Sequence, residues 1–250
     1  PDVAIFSDVG WEPEAVYEQL EWIISKVSIE VHVVSAGNLR DDVLKVVGPA
    51  GQKIGRVANP PFFVRNDASD ETGDRDDGGK LWRGCTKKYK IEPIQKKVRE
   101  LLGYKKGQRV KKRCRQWFGI SIDEASRMKD SRVHWIDNYY PLVDRNINRL
   151  DCQKICTEYG YPNLRKSACI GCPFHSNAFW AKMKRNYPGE FADACDFDHS
   201  LREGKLPGVT GDAFVHRRMM PLEEAVDSTH SPDQTDLFDF DEECEGMCGL

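Results

Sequence analysis

The chain has 250 residues, 40% hydrophobic and 31% charged, with a net charge of -3. That length and balance suit one α/β domain with extensions, or two small ones, and exclude a disordered or fibrous chain. No apolar run approaches the ~18 residues that a membrane span requires, and residues 1–6 lack the basic start and cleavage site of a secretory signal.

In chain order, Val3, Ala4, Ile5 and Phe6 form a short apolar run closed by Ser7-Asp8-Val9-Gly10, which predicts a buried strand. Glu12-Pro13-Glu14 opens a helix, with Val16, Leu20, Ile23, Ile24 and Val27 on one face. Residues 29–34 alternate as a second strand, so a parallel βαβ unit is expected, with any ligand at the strand ends where Asp8 and Gly10 lie. A helix is predicted over 39–47, a mobile loop over 66–79, and a helix over 91–102 stopped by Gly103. Residues 115–120 read as a strand. Ser121 reads as a cap opening a short helix to Met128, and Asn148 as the cap of a helix ending at Gly160. A loop over 161–175 is followed by helices near 176–186 and 188–202. From about Val226 the chain is acidic and predicted to be disordered.

Charge is segregated. Residues 81–117 hold fourteen Lys and Arg against two acids, and residues 219–250 hold ten acids and neither Lys nor Arg. Such a run is either a solvated face or a surface that meets phosphates, and the acidic tail would then compete with it or cover it.

The nine cysteines are an odd number. Without an export signal they point to a reducing compartment, the cytoplasm, and to metal-binding or catalytic thiols rather than a disulfide framework. Cys169-Ile170-Gly171-Cys172-Pro173 is a Cys-x-x-Cys turn whose glycine permits two thiolates to face one ion; a dithiol redox pair is the alternative. Cys85 lies beside Arg83, Lys87 and Lys88 at a helix start, where a thiolate is stabilised. Cys114 and Cys195 read as packing residues, and Cys152 and Cys156 as core filling. Cys244 and Cys248 sit on the acidic tail, poor core material, and reach back as a metal ligand or as a mobile nucleophile. Four thiolates serve zinc or iron–sulfur equally.

Taken in order, these segments resemble the phosphoadenosine-phosphosulfate (PAPS) reductase family of the adenine-nucleotide α-hydrolase, or PP-loop, superfamily. Ile5-Phe6-Ser7-Asp8-Val9-Gly10-Trp11-Glu12-Pro13-Glu14, Cys85-Thr86 with Lys90-Ile91-Glu92-Pro93, Trp117-Phe118-Gly119-Ile120 with Glu124 and Arg127, Tyr140-Pro141-Leu142 and Ala168-Cys169-Ile170-Gly171-Cys172-Pro173 carry the likeness over residues 2–175. The chain also looks like the PAPS-reductase-like proteins frequent in phages and mobile elements. The resemblance implies a Rossmann-like parallel sheet that binds an adenine nucleotide, ATP or a sulfated one, and a [4Fe–4S] cluster. Asp8, Gly10, Lys90, Gly119 and Arg127 would lie at the nucleotide. Cys85, Cys169, Cys172 and Cys244 would be cluster ligands, with Cys152, Cys156 and Cys248 as rivals of Cys244. Cys248-Gly249-Leu250 stands where the family has its nucleophile, and a thiol donor would supply electrons. The implied division is an α/β domain over 1–175, a helical extension over 176–225 and a Cys-bearing tail over 226–250.

Three departures qualify this. The Ser-Gly-Gly-x-Asp-Ser phosphate loop, which supplies backbone N–H groups to phosphate, belongs just before residue 1, where the chain begins without Met; truncation is the expectation. The tandem Cys-Cys is here Cys85-Thr86, and the His after the tail Cys-Gly-Leu is missing. Three function classes follow. The first is a reductase or sulfur-transfer enzyme, with Lys88, Lys90 and Arg127 holding the anion. The second is an ATP-pyrophosphatase that modifies nucleic acid along residues 83–115. The third is a non-catalytic zinc- or cluster-stabilised module that binds nucleic acid or protein.

Overall fold

The computed structural model describes residues 1–48, 58–65, 79–161 and 167–227. The expected loop over 66–79 and the acidic tail, with Cys244 and Cys248, fall almost wholly outside them.

The molecule is mixed α/β. The predicted βαβ unit forms: β1 (Val3–Asp8), α1 (Glu14–Lys26) and β2 (Glu30–Ser35), with Val3 opposite Glu30 and Asp8 opposite Ser35 in a parallel pair. After α2 (Leu39–Leu44), the strands β3 (Phe63–Arg65) and β4 (Gly79–Lys80) join β7 (Asp212–Phe214) in an antiparallel sheet of order β4-β3-β7. A π-helical turn (Thr86–Ile91) runs into α3 (Glu92–Leu101). A second parallel pair follows, β5 (Cys114–Trp117) with β6 (Ile136–Tyr139), separated by a 3-10 helix (Ile122–Arg127). The remaining helices are α4 (Pro141–Asp144), α5 (Arg149–Glu158), α6 (Asn177–Asn186), α7 (Pro188–Glu203) and α8 (Leu222–Asp227). No described helix is long and apolar enough to cross a membrane.

Two cores hold these elements. The larger packs Leu39 and Val43 of α2 and Trp180 of α6 with Phe197 and Leu201 of α7 and Val215 beyond β7. The smaller joins Val98 of α3 to Val110, Trp135 and Ile136, so α3 serves both parallel pairs. Asp198 ties α7 to its neighbours. Fully buried, it accepts from Val215 N at 2.8 Å and Leu222 N at 3.0 Å and pairs with Arg202. Asp198→Asn turns an N–H toward one of these donors. Urea unfolding should show a loss of about 2–3 kcal/mol, the cost of a buried polar group left without its partner.

Four local expectations are corrected. The apolar face of α1 is buried only at Val16, while Ile24 and Val27 reach solvent. Ser121 precedes the 3-10 helix without a side-chain cap bond, whereas Asn148 caps α5 in a full capping box with Asp151. The second predicted helix stops at Leu44, and β5 spans Cys114–Trp117 rather than 115–120.

Candidate functional site

The site begins where β1 ends. Asp8 Oδ1 accepts from Gly10 N at 2.7 Å and from Tyr17 O–H at 2.9 Å, and so is committed to shaping the turn. Gly10 has φ +71°, a left-handed backbone that glycine adopts without strain, and Asn38 Nδ2 donates to its carbonyl at 2.7 Å. The next residue, Trp11, meets the cysteine loop: its carbonyl accepts from Ile170 N at 3.0 Å. A Cβ on Gly171 would stand 2.1 Å from Trp11 Cη2. Gly171 is absent from the left-handed glycines, so the position needs glycine for lack of a side chain, not for the turn conformation expected from the sequence.

Cys169 and Cys172 sit on a tight turn, with Cys172 N donating to Cys169 O at 3.1 Å and His175 N to Cys172 O at 3.1 Å. His175 clamps this turn. Its Nε2 donates to Cys169 O at 2.8 Å, and its ring stacks on Phe179 at 3.8 Å. Burial pushes its pKa down to about 4, against the pull of the Cys169 and Ile170 carbonyls, so the ring stays neutral at physiological pH. Ser176 caps α6 directly after it, accepting from Phe179 N at 3.1 Å. In the sequence, His175 reads as a surface or cap residue; the only signal of its burial is its place after Cys172-Pro173-Phe174.

Cys85 reaches the cavity that Cys169 and Cys172 line from a segment remote in sequence. The N–H groups of Gly84 and Cys85 both donate to Asn59 O, at 2.9 and 3.2 Å. The π-turn that follows is wide, a geometry found at functional sites, and it carries Thr86 and Lys90 to the same cavity as Cys85. It is locked in place by Ser7 Oγ, which donates to Tyr89 O at 2.6 Å, and by Tyr89 O–H, which donates to Asp42 at 2.7 Å. That bond holds Asp42 below the usual carboxylate range, while burial raises the Tyr89 phenol.

The two approaches converge. Cys85, Cys169 and Cys172 line one small, partly open cavity with Arg83, Lys90 and Phe174. Lys80 and Arg83 lie over the Phe174 ring at 5.1 and 5.6 Å. Beneath Lys90 is a residue that sequence reading assigned only to a helix start: Glu12. Its side chain has no solvent exposure, Lys90 Nζ stands 3.8 Å away, and neither carboxylate oxygen has a well-formed hydrogen bond. Burial raises its pKa, opposed by the Lys90 charge and the neighbouring Ser167. Arg83 and Lys90 bring positive charge to a cavity whose lining is otherwise mostly apolar.

The other sequence candidates lie elsewhere. Gly119 follows β5 with open space around it, and Arg127 ends the 3-10 helix paired with Glu124; neither lines the cysteine cavity. Asp8 and Gly10 flank the cavity wall at Val9 without lining it. Cys114 packs on the smaller core and Cys195 on the larger, where burial pushes the Cys195 thiol up to about 12. Cys152 and Cys156 are on α5, away from the cavity lining; burial and then Cys156 raise the Cys152 thiol. No described cysteine is in a disulfide. Among the described residues, no three His, Cys, Asp or Glu side chains gather into a site for a single metal ion. Cys244 and Cys248 fall outside the described residues. No family model matches the chain, and neither a curated protein nor a solved structure shows significant similarity to it.

Proposed function

We propose that the chain is a PAPS-reductase-like enzyme that holds an iron–sulfur cluster at Cys85, Cys169 and Cys172 and acts on an anionic adenine nucleotide, reducing or transferring sulfur. The observation that carries this reading is the cavity itself, where Cys85 and the remote Cys169–Cys172 pair share a lining with Arg83 and Lys90. Four thiolates serve zinc or iron–sulfur equally, and the cluster is proposed on the resemblance rather than on the cavity's geometry. Cys244 is the proposed fourth ligand. A cluster bound there would supply electron-transfer capacity beside the substrate.

The chain's own residues divide the remaining work. Arg83 and Lys90 attract and hold the nucleotide's anion, and Glu12 fixes the Lys90 ammonium from below. His175 keeps the two loop thiols facing the cavity. Cys248 is the proposed nucleophile: its thiolate attacks the sulfur of a sulfated nucleotide, and the phosphate leaves with the bonding electrons. The parallel pairs β1–β2 and β5–β6 are separate two-stranded sheets rather than one Rossmann-like sheet, and with α3 packed on both they are the proposed nucleotide platform.

Anaerobic purification tests the reading. A brown protein with broad absorption near ~400 nm is expected, and Cys85→Ser, Cys169→Ser or Cys172→Ser should each remove most of that absorption. Arg83→Gln should leave the colour and weaken nucleotide binding about tenfold, the loss of roughly one ion contact. A colourless protein carrying stoichiometric zinc would overturn the cluster and favour the zinc-stabilised module instead.

A further inference from the structure

We propose that the outer face of the β5–β6 pair binds single-stranded nucleic acid, stacking bases on Trp117 and Tyr139 and holding phosphates with the arginines and lysines around them. This surface shares no residue with the cysteine cavity, and the inference does not depend on the cluster.

The argument starts from strand alternation. Successive side chains on a strand point to opposite faces. Cys114 and Ile136 turn inward to the smaller core. Arg115 and Trp117 turn outward, opposite Asp137 and Tyr139 in the parallel register. An outward sheet face is ordinarily polar. Here Trp117 is 44% exposed, packs edge-on against Tyr139 with ring centroids 5.3 Å apart, and is joined by the Arg115 guanidinium 5.2 Å above the Tyr139 ring. Two rings and a guanidinium plane at adjacent positions form a platform of the kind on which unpaired bases stack.

The charge along the neighbouring segment is almost all positive. Residues 105–117 contain seven Lys or Arg and no acid. Lys105, Lys106, Arg109, Lys111, Lys112, Arg113 and Arg115 are all exposed, and Asp137, the acid of β6 opposite Arg115, is paired with Arg113.

This basic segment is also held in place. Arg99 Nη2 donates to the carbonyls of Lys105 and Gln108, at 3.1 and 2.6 Å. The Tyr104 hydroxyl accepts from Lys111 N and Lys112 N, both at 3.1 Å. A cationic rim pinned to α3 beside an aromatic platform loses little freedom when a strand binds. A duplex keeps its bases stacked inside and offers only its backbone, so the platform distinguishes single strands from duplex.

Fluorescence anisotropy with the full chain and a labelled single strand of about 12 nucleotides tests this. At about 50 mM salt the single strand should bind at least about tenfold tighter than the same sequence as duplex. Trp117→Ala and Tyr139→Ala should each weaken binding about tenfold. Lys111→Gln combined with Lys112→Gln should flatten the salt dependence by about 0.7 per lost phosphate contact. Excess ATP should not displace the strand. The proposal is overturned by absence of binding, by equal affinity for duplex that Trp117→Ala leaves intact, or by displacement with ATP. If Trp117→Ala lowers the melting temperature, Arg115→Gln decides alone: unchanged affinity there rejects the site.

Discussion

Replacing Gly171 by alanine lowers the melting temperature by about 6–12 °C, the equivalent of about 3 kcal/mol in a chain of this size. The new methyl would fall 2.1 Å from Trp11 Cη2, 2.8 Å from Cζ3 and 3.0 Å from Cζ2. These are atoms of a ring that cannot swing aside. Trp11 Nε1 donates to Asp193 Oδ2 at 2.6 Å, Asp193 is paired with Arg40 at 2.8 Å, and Phe197 packs on the indole at 4.5 Å. The strain therefore passes to the other partner, the loop carrying Cys169 and Cys172. Two readouts follow: a thermal melt, and the reaction rate of the loop thiols with a disulfide reagent, which rises as the loop lifts. Gly189→Ala is the control. That glycine lies within α7 with nothing inside 4 Å of a built Cβ, so alanine there should be neutral or slightly stabilising. Trp11→Phe should shrink the Gly171→Ala penalty by making room, a coupling expected only of residues in contact. A Gly171→Ala protein that melts with the parent would reject the account.

The same contact shows what the sequence could and could not convey. The spacing of the Cys-x-x-Cys turn and the remote Cys85 singled these thiols out, and all three line one cavity. The βαβ unit and α5 to α7 were legible because apolar periodicity and caps such as Asn148 act locally. The sheet of β3, β4 and β7 was not, since strands of two or three residues are too short to show alternation. Glu12 looked like the acid of a helix start, and His175 like a surface residue. Both are buried by partners more than 70 positions away or by a turn whose packing no local pattern encodes. The role of Gly171 is invisible for the same reason, because its partner is the ring of Trp11.

Burial of two histidines makes the fold sensitive to mild acid, and the sign follows from their protonation. His216, like His175, is held neutral. Its Nδ1 accepts from Arg218 N at 3.2 Å, and its Nε2 donates to Asn177 Oδ1 at 2.9 Å. Desolvation, then the charges of Arg217 and Arg218, pushes its pKa down to about 4. In the unfolded chain a histidine titrates near ~6.5, so below that pH the unfolded state binds protons that the native state refuses. Stability is fully present above about pH 6.5, falls as pH drops toward 4, and below that the loss is complete, at roughly 3 kcal/mol for each ring. Glu12 pulls the other way: its raised pKa means that the native state takes up a proton more readily there, which recovers part of the loss. Urea unfolding at pH 7.5 and 4.5 should therefore show a net fall of several kcal/mol. His216→Gln, which keeps a donor and an acceptor but cannot be charged, should be less stable at pH 7.5 and lose about half of the acid-induced difference. Glu12→Gln should steepen it. Equal stability of the parent chain at the two pH values would mean that neither ring is shielded from water as the packing around Phe179 and Asn177 requires.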